Sequence, residues 1–457
     1  MKTKADSKSL RKKFIKYLLP SVSAMWVFSL YTMVDGIFVS RGVGPLGLAA
    51  VNISMPLVNL IFALSMLFST GTSTIIAISL GEGNLKKANQ IFTFTISFIT
   101  IMSFGLMALI LFNLDYIATL LGATPSIINY VKEYLSIIIF FNGFFIVSYS
   151  LEVIVKTDGK PYLAIVGVSL SALLNIILDY IFVMKLHLGV AGAAYATGIS
   201  QVASTILFLA YFFGKNSRLK FTKFKFDFSI LKRILCIGFP DSITELSAGL
   251  VLFLFNQTIL RIVGEQGIIT FGIIAYVNTL VLMTMVGITQ GMQPLVSFYY
   301  GKKEEHNISS IFSMSFKTII GSSIFIFILS FIAAPMIVGI FLGNNSELII
   351  YSIKTFRIYS FSFLILGFNV LLSGYFAALE KPVFATIISL ARGLFFISIS
   401  LFVLPNIFGE FGIWISALIS EALCLIVSFF IYKVAFKEDL FKIKTDDLDK
   451  ELESSTI

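Results

Sequence analysis

Long apolar stretches separated by short polar ones recur along the whole chain. Two stretches without a charged residue are Ile91–Phe112 and Thr318–Phe341, and each matches the roughly 20 residues that a helix needs to cross a bilayer. The pattern predicts an all-α polytopic membrane protein with twelve transmembrane helices, at about 14–39, 48–80, 91–113, 134–155, 162–184, 190–213, 232–260, 268–299, 312–341, 352–376, 383–404 and 411–435. The longest of these helices are expected to tilt or to extend beyond the hydrocarbon core.

The composition excludes the soluble classes of protein. Apolar residues make up 57% of the chain and charged residues 13%, against roughly 45–50% and 25% in soluble domains. Cys236 and Cys424 lie alone in apolar stretches, and the only histidines, His187 and His306, fall in predicted loops. These positions argue against a disulfide framework and against a zinc or haem site. An intramembrane enzyme would also lack a histidine base at membrane depth, so the chain is not expected to be an enzyme.

The positive charges predict the orientation in the membrane. An even number of spans places both termini on one side, and the side richer in lysine and arginine is the cytoplasmic one. That side receives most of the basic residues, namely Lys2, Lys4, Lys8, Arg11, Lys12, Lys13, Lys16, Lys86, Lys87, Lys156, Lys160, those of Lys215–Arg233, Lys302, Lys303, Lys381 and the C-terminal lysines. The other side holds only Arg41, Lys132, Lys185, Arg261, Lys354 and Arg357. We therefore expect both termini in the cytoplasm, with a retained first helix and no cleaved signal peptide.

The chain contains an internal repeat. A shift of about 220 residues superposes Pro20 on Pro240, Arg41 on Arg261, Gly44 on Gly264, Gly71 on Gly291 and Gly81 on Gly301. Each half holds six spans, so the two halves share one orientation and are related by an axis along the membrane normal. The repeat predicts two pseudo-symmetric six-helix lobes, with the N-terminal lobe at 1–214, a cytoplasmic linker at 215–233, the C-terminal lobe at 234–436 and a cytoplasmic tail at 437–457.

The linker alternates basic residues with phenylalanines, in the order KNSRLKFTKFKFDFS. Such a segment is typical of one that lies in the plane of the membrane against anionic headgroups. The net charge of +9 is read in the same way, as anchoring to the membrane surface, and no nucleic-acid partner is expected.

Polar side chains form a layer within the first half. Counted at about 1.5 Å per residue, Asp35, Asp179 and Thr197 all lie about 9–12 Å below the outer surface. Asn175 lies one turn from Asp179 on the same helix face. These oxygens are hard ligands that suit Na⁺, and the carboxylates alone could carry H⁺. The predicted role is a cation-coupling site, a possible Na⁺ site included; the alternative is a structural polar cluster.

Ionisable residues of the second half lie near the middle of the membrane. Arg392 and Glu421 each fall about ten residues into their helices, and Asp241 follows Pro240 directly. We expect these three residues to form a polar network in which Arg392 pairs with a carboxylate and holds the lobe together.

Residues at a similar depth in the membrane are candidates for contacting the substrate. Glu245 also lies near mid-depth, and it could attract a cationic substrate or relay protons. Asn256 lies on the same helix face three turns away. Glu245, Asn256 and, in the first half, Tyr31 are the predicted substrate-binding residues.

Nucleotide cofactors are not indicated. The sequence GVGPLG provides the spacing GxGxxG at Gly42, Gly44 and Gly47, but it falls in a predicted turn with no strand before it. No GxxxxGK[ST] loop occurs, so the chain offers no site for ATP-driven transport. No cofactor is expected apart from a coupling ion.

Several segments resemble the multidrug and toxic compound extrusion (MATE) family. These are DGIFVSRGVGPLGLAAV, GEGNLKKANQIF, TDGKPYLA, NIILDYIFV and GVAGAAYAT, and they resemble the bacterial branch with Asn-x-x-x-Asp on helix 5. The resemblance implies a V-shaped pair of lobes, a bacterial plasma (inner) membrane location and antiport of H⁺ or Na⁺ against drugs. It also implies a cation site at Asp35, Asn175, Asp179 and Thr197 and a bend at Pro20. The tenth helix departs from the family pattern because it carries no acid.

The predicted function is secondary multidrug efflux of amphipathic, often cationic, small molecules by a monomer in the lipid bilayer. The alternative is a flippase of the same superfamily that moves a lipid-linked precursor. A flippase of this kind needs a wide cationic cavity for pyrophosphate, whereas the central candidates here are mostly acidic.

Overall fold

A computed structural model describes residues 4–342 and 346–454 as an almost entirely helical protein. The helices, in chain order, are α1 (Lys4–Gly42), α2 (Pro45–Gly81), α3 (Leu85–Phe112), α4 (Leu114–Leu120), α5 (Ile128–Phe140), α6 (Asn142–Thr157), α7 (Pro161–Asp179), α8 (Gly189–Phe213), α9 (Phe228–Ile262), α10 (Glu265–Gly301), α11 (Glu305–Leu342), α12 (Ser346–Ser360), α13 (Phe363–Ala378), α14 (Pro382–Leu390), α15 (Phe396–Phe408) and α16 (Glu410–Ser454). The predicted tail therefore continues α16 to Ser454, and residues 455–457 lie outside the described part.

The predicted number of spans agrees with the structure. Eleven helical segments of the described chain are long and apolar enough to cross a membrane, and a bent pair brings the total to twelve. That pair is α5 and α6, which meet at an angle of 49°. The sequence predicts one continuous helix there, but the chain breaks at Phe141. Beside the break, the side-chain amide of Asn142 donates to the backbone carbonyl of Ile139 at 2.5 Å.

Two short π-helical segments interrupt the straight helices that the sequence predicts. Tyr180–Lys185 follows α7 directly, and Ala391–Phe395 joins α14 to α15. The first begins immediately after Asp179 and the second contains Arg392. A π-helical turn inserts an extra residue into a helix and often occurs at functional sites, and here each one lies beside or contains a charged candidate residue.

The two halves show the predicted pseudo-symmetry in their backbone. α2 and α10 each begin after a glycine with positive φ, 88° at Gly44 and 89° at Gly264. Side chains with a Cβ rarely adopt this conformation, so both tight turns need glycine. Their positions are equivalent in the repeat.

Most of the buried apolar residues fall into two large clusters, one for each half. Each cluster receives the beginning of a helix from the opposite half. Leu10 and Phe14 of α1 pack into the second cluster, whereas Leu231, Ile234 and Ile237 of α9 pack into the first. The crossing segments precede Pro20 and Pro240, which lie inside α1 and α9. Each proline removes one helical hydrogen bond and favours bending there.

Glycines bring the two lobes into backbone contact near the lysine-rich face, the end of the bundle where α1 begins and α2 and α10 end. A Cβ added to Gly71 would lie 2.1 Å from the carbonyl oxygen of Ile234, and one added to Gly238 would lie 1.8 Å from that of Leu67. Gly81 and Gly301 face the opposite lobe just as closely. Toward the other face, a cavity of about 580 Å³ separates α1 and α2 from α10. The lobes therefore meet at the lysine-rich half and diverge toward the opposite face.

Lys156, which the charge pattern assigns to the lysine-rich side, is buried. Its side chain is 1% exposed and belongs to α6. The sequence did not reveal this burial, because a lysine at the end of an apolar run looks the same whether it anchors a helix or pairs with a buried acid.

Candidate functional site

Three helices bring together the four residues predicted for cation coupling. α1 contributes Asp35, α7 contributes Asn175 and Asp179, and α8 contributes Thr197. The side-chain amide of Asn175 donates to the hydroxyl of Thr197 at 3.3 Å, and the carboxyl groups of Asp35 and Asp179 face one another. Asn175 and Asp179 are fully buried.

The oxygens of this N-lobe site lack ordinary partners. Within the described residues, Asp35 Oδ1, Asn175 Oδ1 and both carboxylate oxygens of Asp179 are buried without a hydrogen bond. Buried polar atoms are almost always paired, and leaving them unpaired is costly. A proton shared by the two carboxyls, or a Na⁺ held by these oxygens and the Thr197 hydroxyl, would satisfy them. The donor set therefore fits either ion.

A wide cavity between the lobes runs along α1. It is the cavity of about 580 Å³ between the lobes, and Thr32, Gly36 and Ser40 of α1 line it together with Tyr276 and Thr279 of α10. Gly36 follows Asp35 directly in the chain, but neither Asp35 nor Asp179 lines this cavity.

In the C-terminal lobe, Arg392 pairs with Glu421. Arg392 Nε donates to Glu421 Oε1 at 2.9 Å, and the second carboxylate oxygen accepts from the amide of Asn369 at 2.7 Å. Asn369 in turn accepts from Ser428. Sequence reasoning missed Asn369, because an uncharged amide in an apolar run gives no signal of its own.

Asp241 takes no part in that network. Its carboxylate accepts from the hydroxyl of Thr70 at 2.7 Å, so it joins α9 to α2 of the opposite lobe. Glu245, one turn further along, lines a C-lobe cavity of about 80 Å³ together with Asp241 and Arg392. A second cavity of about 360 Å³ adjoins it and shares Thr244 and Arg392 in its wall.

The structure separates the three residues predicted to bind substrate. Of the three, only Glu245 lines a C-lobe cavity, the one of about 80 Å³, whereas Asn256 lines neither of the two. Tyr31 is buried in the N-terminal lobe, where its ring packs edge-on against Phe28 with centroids 5.4 Å apart. It lines a small cavity that also contacts Glu152. A shared helix face thus did not bring Glu245 and Asn256 to one cavity.

Sequence reasoning also missed a buried ion pair on α6. Glu152 Oε1 lies 2.9 Å from Lys156 Nζ, and neither side chain is more than 6% exposed. Lys156 also donates to Gln290 of the opposite lobe at 2.9 Å. The available signal was an acid and a base four residues apart in an apolar run, the spacing that places them on one helix face.

Comparison with known proteins agrees with this architecture. The MatE family model matches residues 20–181 and again residues 242–402, once in each half. The chain belongs to the MatE family. This confirms the resemblance and the internal repeat, and as a member of a transporter family the chain is not an enzyme.

Relatives of this MatE-family chain include two named multidrug export protein MepA. The one from Staphylococcus haemolyticus is 28% identical over 439 residues, covering 93% of this chain and 94% of the relative. The one from a bovine strain of Staphylococcus aureus is 27% identical over 449 residues, covering 96% of each.

Solved structures show the same fold. An outward-facing conformation of a multidrug resistance MATE family transporter of the MOP superfamily superposes with a TM-score of 0.89 at 23% identity, covering 94% of this chain and 96% of the other. A MOP superfamily transporter from Pyrococcus furiosus, described as having a binding pocket of reverse polarity that suggests a different function, gives 0.87 at 24% identity, covering 96% and 99%. The MatE-family chain is therefore a multi-pass membrane protein with the twelve-helix, two-lobe architecture predicted from its sequence.

Proposed function

We propose that this chain is a secondary multidrug efflux transporter that exchanges H⁺ or Na⁺ for amphipathic, often cationic, small molecules. The observation that carries the proposal is the group of four buried, unpartnered oxygens at Asp35, Asn175 and Asp179. A coupling ion is the partner that these atoms lack, and Thr197 would complete the set of ligands. The names of the staphylococcal relatives support drug export as the activity.

The C-lobe cavities are the proposed place for cargo. Glu245 provides a carboxylate in the cavity wall, and Arg392, the base in that wall, is paired with Glu421. The electrostatic potential in the cavity is therefore negative, which favours a cationic cargo over an anionic one. Methionines such as Met66 and Met283 in the same wall give a flexible apolar surface suited to varied substrates.

Transport would proceed by alternating access. The cavity along α1 opens away from the lysine-rich face, which we assign to the cytoplasm together with both termini. In this arrangement an external ion would reach the Asp35–Asp179 pair and favour a conformation that releases the drug outward. Inward movement of one positive charge at about −100 mV releases ~2.3 kcal/mol. The location would be the bacterial plasma membrane, with a monomer as the working unit.

The test is ethidium efflux from proteoliposomes under separately imposed H⁺ and Na⁺ gradients. We expect one of the two gradients to drive efflux by the wild type, and that gradient identifies the coupling ion. Asp35→Asn should reduce this efflux to background while the protein remains folded. Asp115→Asn is the matched control, because Asp115 is exposed and lies in α4 away from the site.

Gradient-driven export by Asp35→Asn at the wild-type rate would refute the coupling role. If neither gradient moves ethidium through folded wild-type protein, cationic drug export is wrong and the lipid-linked precursor flippase becomes the better candidate.

A further inference from the structure

The linker between the two lobes is fixed to the N-terminal lobe at its beginning. The carboxylate of Asp158, which is 3% exposed, accepts from the hydroxyls of Tyr211 and Ser217 at 2.5 and 2.9 Å. It also accepts from the backbone amides of Arg218 and Leu219, each at 3.2 Å. Four donors thus hold the start of the linker against one buried carboxylate, so the linker has a defined position on the protein.

The following linker residues lie along the beginning of α3. The backbone amide of Lys220 donates to the side-chain oxygen of Asn89, and that of Thr222 donates to the hydroxyl of Thr93, each at 2.9 Å. α3 is a candidate membrane span of 28 residues that begins at Leu85. Its length of about 42 Å matches a bilayer that is about 40–45 Å thick with its headgroups. The linker therefore lies beside the first turns of a span, at the level of the headgroups.

Phenylalanine rings are exposed at this level. The rings of Phe224 and Phe226 pack edge-on against that of Phe94 in α3, with centroid distances of 5.8 and 5.5 Å. They nevertheless remain 37% and 64% exposed, and Phe228, the first residue of α9, is 68% exposed. Aromatic side chains held at the boundary of a bilayer are stabilised by contact with acyl chains. These three rings therefore provide an apolar surface for a lipid.

Between these rings the linker presents hydrogen-bond donors without partners. Lys223 and Lys225 alternate with the phenylalanines and are exposed, and neither forms an ion pair within the described residues. The backbone amides of residues 223–226 donate to no acceptor in the described part of the chain. The neighbouring acid, Asp227, accepts from the backbone amide of Ser229 at 2.8 Å and caps α9. Ammonium groups and unpaired amides on one short stretch are donors suited to phosphate oxygens.

We propose that residues 223–226 bind the phosphate group of one anionic phospholipid, whose acyl chains lie against Phe224, Phe226 and Phe228. The charge pattern of the linker indicates only a general attraction to the membrane surface, whereas the fixed backbone provides a site for a single headgroup. A zwitterionic lipid fits less well, because its own ammonium group is repelled by Lys223 and Lys225. The site does not depend on the coupling ion or on the cargo.

The experiment measures the quenching of a tryptophan by brominated phospholipids in mixed micelles. Phe226→Trp places the tryptophan in the site, and the same measurement without this substitution allows the signal of Trp26 and Trp414 to be subtracted. Brominated phosphatidylglycerol is compared with brominated phosphatidylcholine, which has a phosphate but no net charge. No gradient or drug is present, so the readout is independent of efflux.

We expect the Phe226→Trp protein to bind phosphatidylglycerol about 30-fold more tightly than phosphatidylcholine, at roughly fivefold for each lysine near the surface. Adding Lys223→Gln/Lys225→Gln should bring this ratio close to one. The matched control is Lys8→Gln/Lys12→Gln, which removes the same charge from exposed positions of α1 and should leave the ratio unchanged. Equal quenching by phosphatidylcholine in all variants would show that the linker still faces the lipid.

Three results would overturn the inference. One is a ratio close to one before the lysines are changed, and another is a ratio that Lys223→Gln/Lys225→Gln leaves as it was. The third is relief of the quenching by sodium phosphate beyond that by sodium chloride at the same ionic strength, since the site would then hold a soluble anion. Failure of the proposed function looks different, because efflux would respond to neither gradient while the preference for the anionic lipid remained.

Discussion

The close approach of α9 to α2 provides a sharp test of how the lobes are held together. A Cβ added to Gly238 would lie 1.8 Å from the carbonyl oxygen of Leu67, where ordinary contact begins at 3.4 Å. The obstacle is backbone and cannot rotate away, so Gly238→Ala forces the two helices apart by about 1.6 Å in the lysine-rich half. Gly249 lies on the same helix with no atom within 4 Å of such a Cβ.

The size of the effect follows from overpacking, which costs about 1–3 kcal/mol. That cost falls only on the conformation in which the lobes are packed at this face. Gly238→Ala should therefore raise the ratio of open to closed molecules by about 5–150-fold. Alanine also favours the helix by ~1 kcal/mol relative to glycine, but this gain applies in both conformations and in the Gly249 control, so it cancels.

Pulsed electron paramagnetic resonance provides the assay. Spin labels are placed at Tyr162 of α7 and Val383 of α14, which are 58% and 67% exposed at the starts of their helices, in a background with Cys236 and Cys424 replaced by alanine. We expect Gly238→Ala to lengthen the distance between the labels, and Gly249→Ala to leave it as in the wild type. Identical distance distributions for the two variants would refute the reasoning, because the glycine contact would then not hold the lobes in this conformation.

Two further predictions concern single side chains. Glu421→Gln should lower the free energy of unfolding of the detergent-purified protein by about 3–5 kcal/mol, because it leaves the Arg392 charge buried and unpaired. The double variant Glu421→Gln/Arg392→Met should recover most of this loss. Thermal unfolding measures both variants, and equal losses of stability would contradict the pairing. Asp158→Asn should speed proteolysis within the linker 215–227, because the Asp158 carboxylate accepts hydrogen bonds from backbone amides of that segment. An unchanged cleavage rate would show that those hydrogen bonds do not fix the linker in place.

Regular helix geometry explains what the sequence could predict. The number of spans and the repeat follow from apolar length and residue spacing. The convergence of Asp35, Asp179 and Thr197 follows from counting residues at a fixed rise from the helix ends. This counting succeeds because α1, α7 and α8 are regular down to the level of the site, and the π-helical turn begins only after Asp179.

Contacts across the lobe interface could not be obtained in the same way. The bond from Thr70 to Asp241 and the bond from Lys156 to Gln290 join residues whose relative positions depend on how two independent helical bundles dock. Depth along a helix says nothing about its rotation, so Glu245 and Asn256 share a face of α9 without sharing a cavity wall. The break at Phe141 was missed for a related reason, since apolar length alone does not reveal a bend.

The exchange of helix beginnings between the lobes has a consequence for biogenesis. The first residues of α1, including Leu10 and Phe14, complete their packing against helices of the second half. During synthesis from the N-terminus, the first six spans are therefore made before their opening segment has a surface to bury against. The beginning of α9, with Ile234, completes the core of the first half in return. Neither half can finish its own interior alone, and the two halves made as separate polypeptides would mature only when produced together in one membrane.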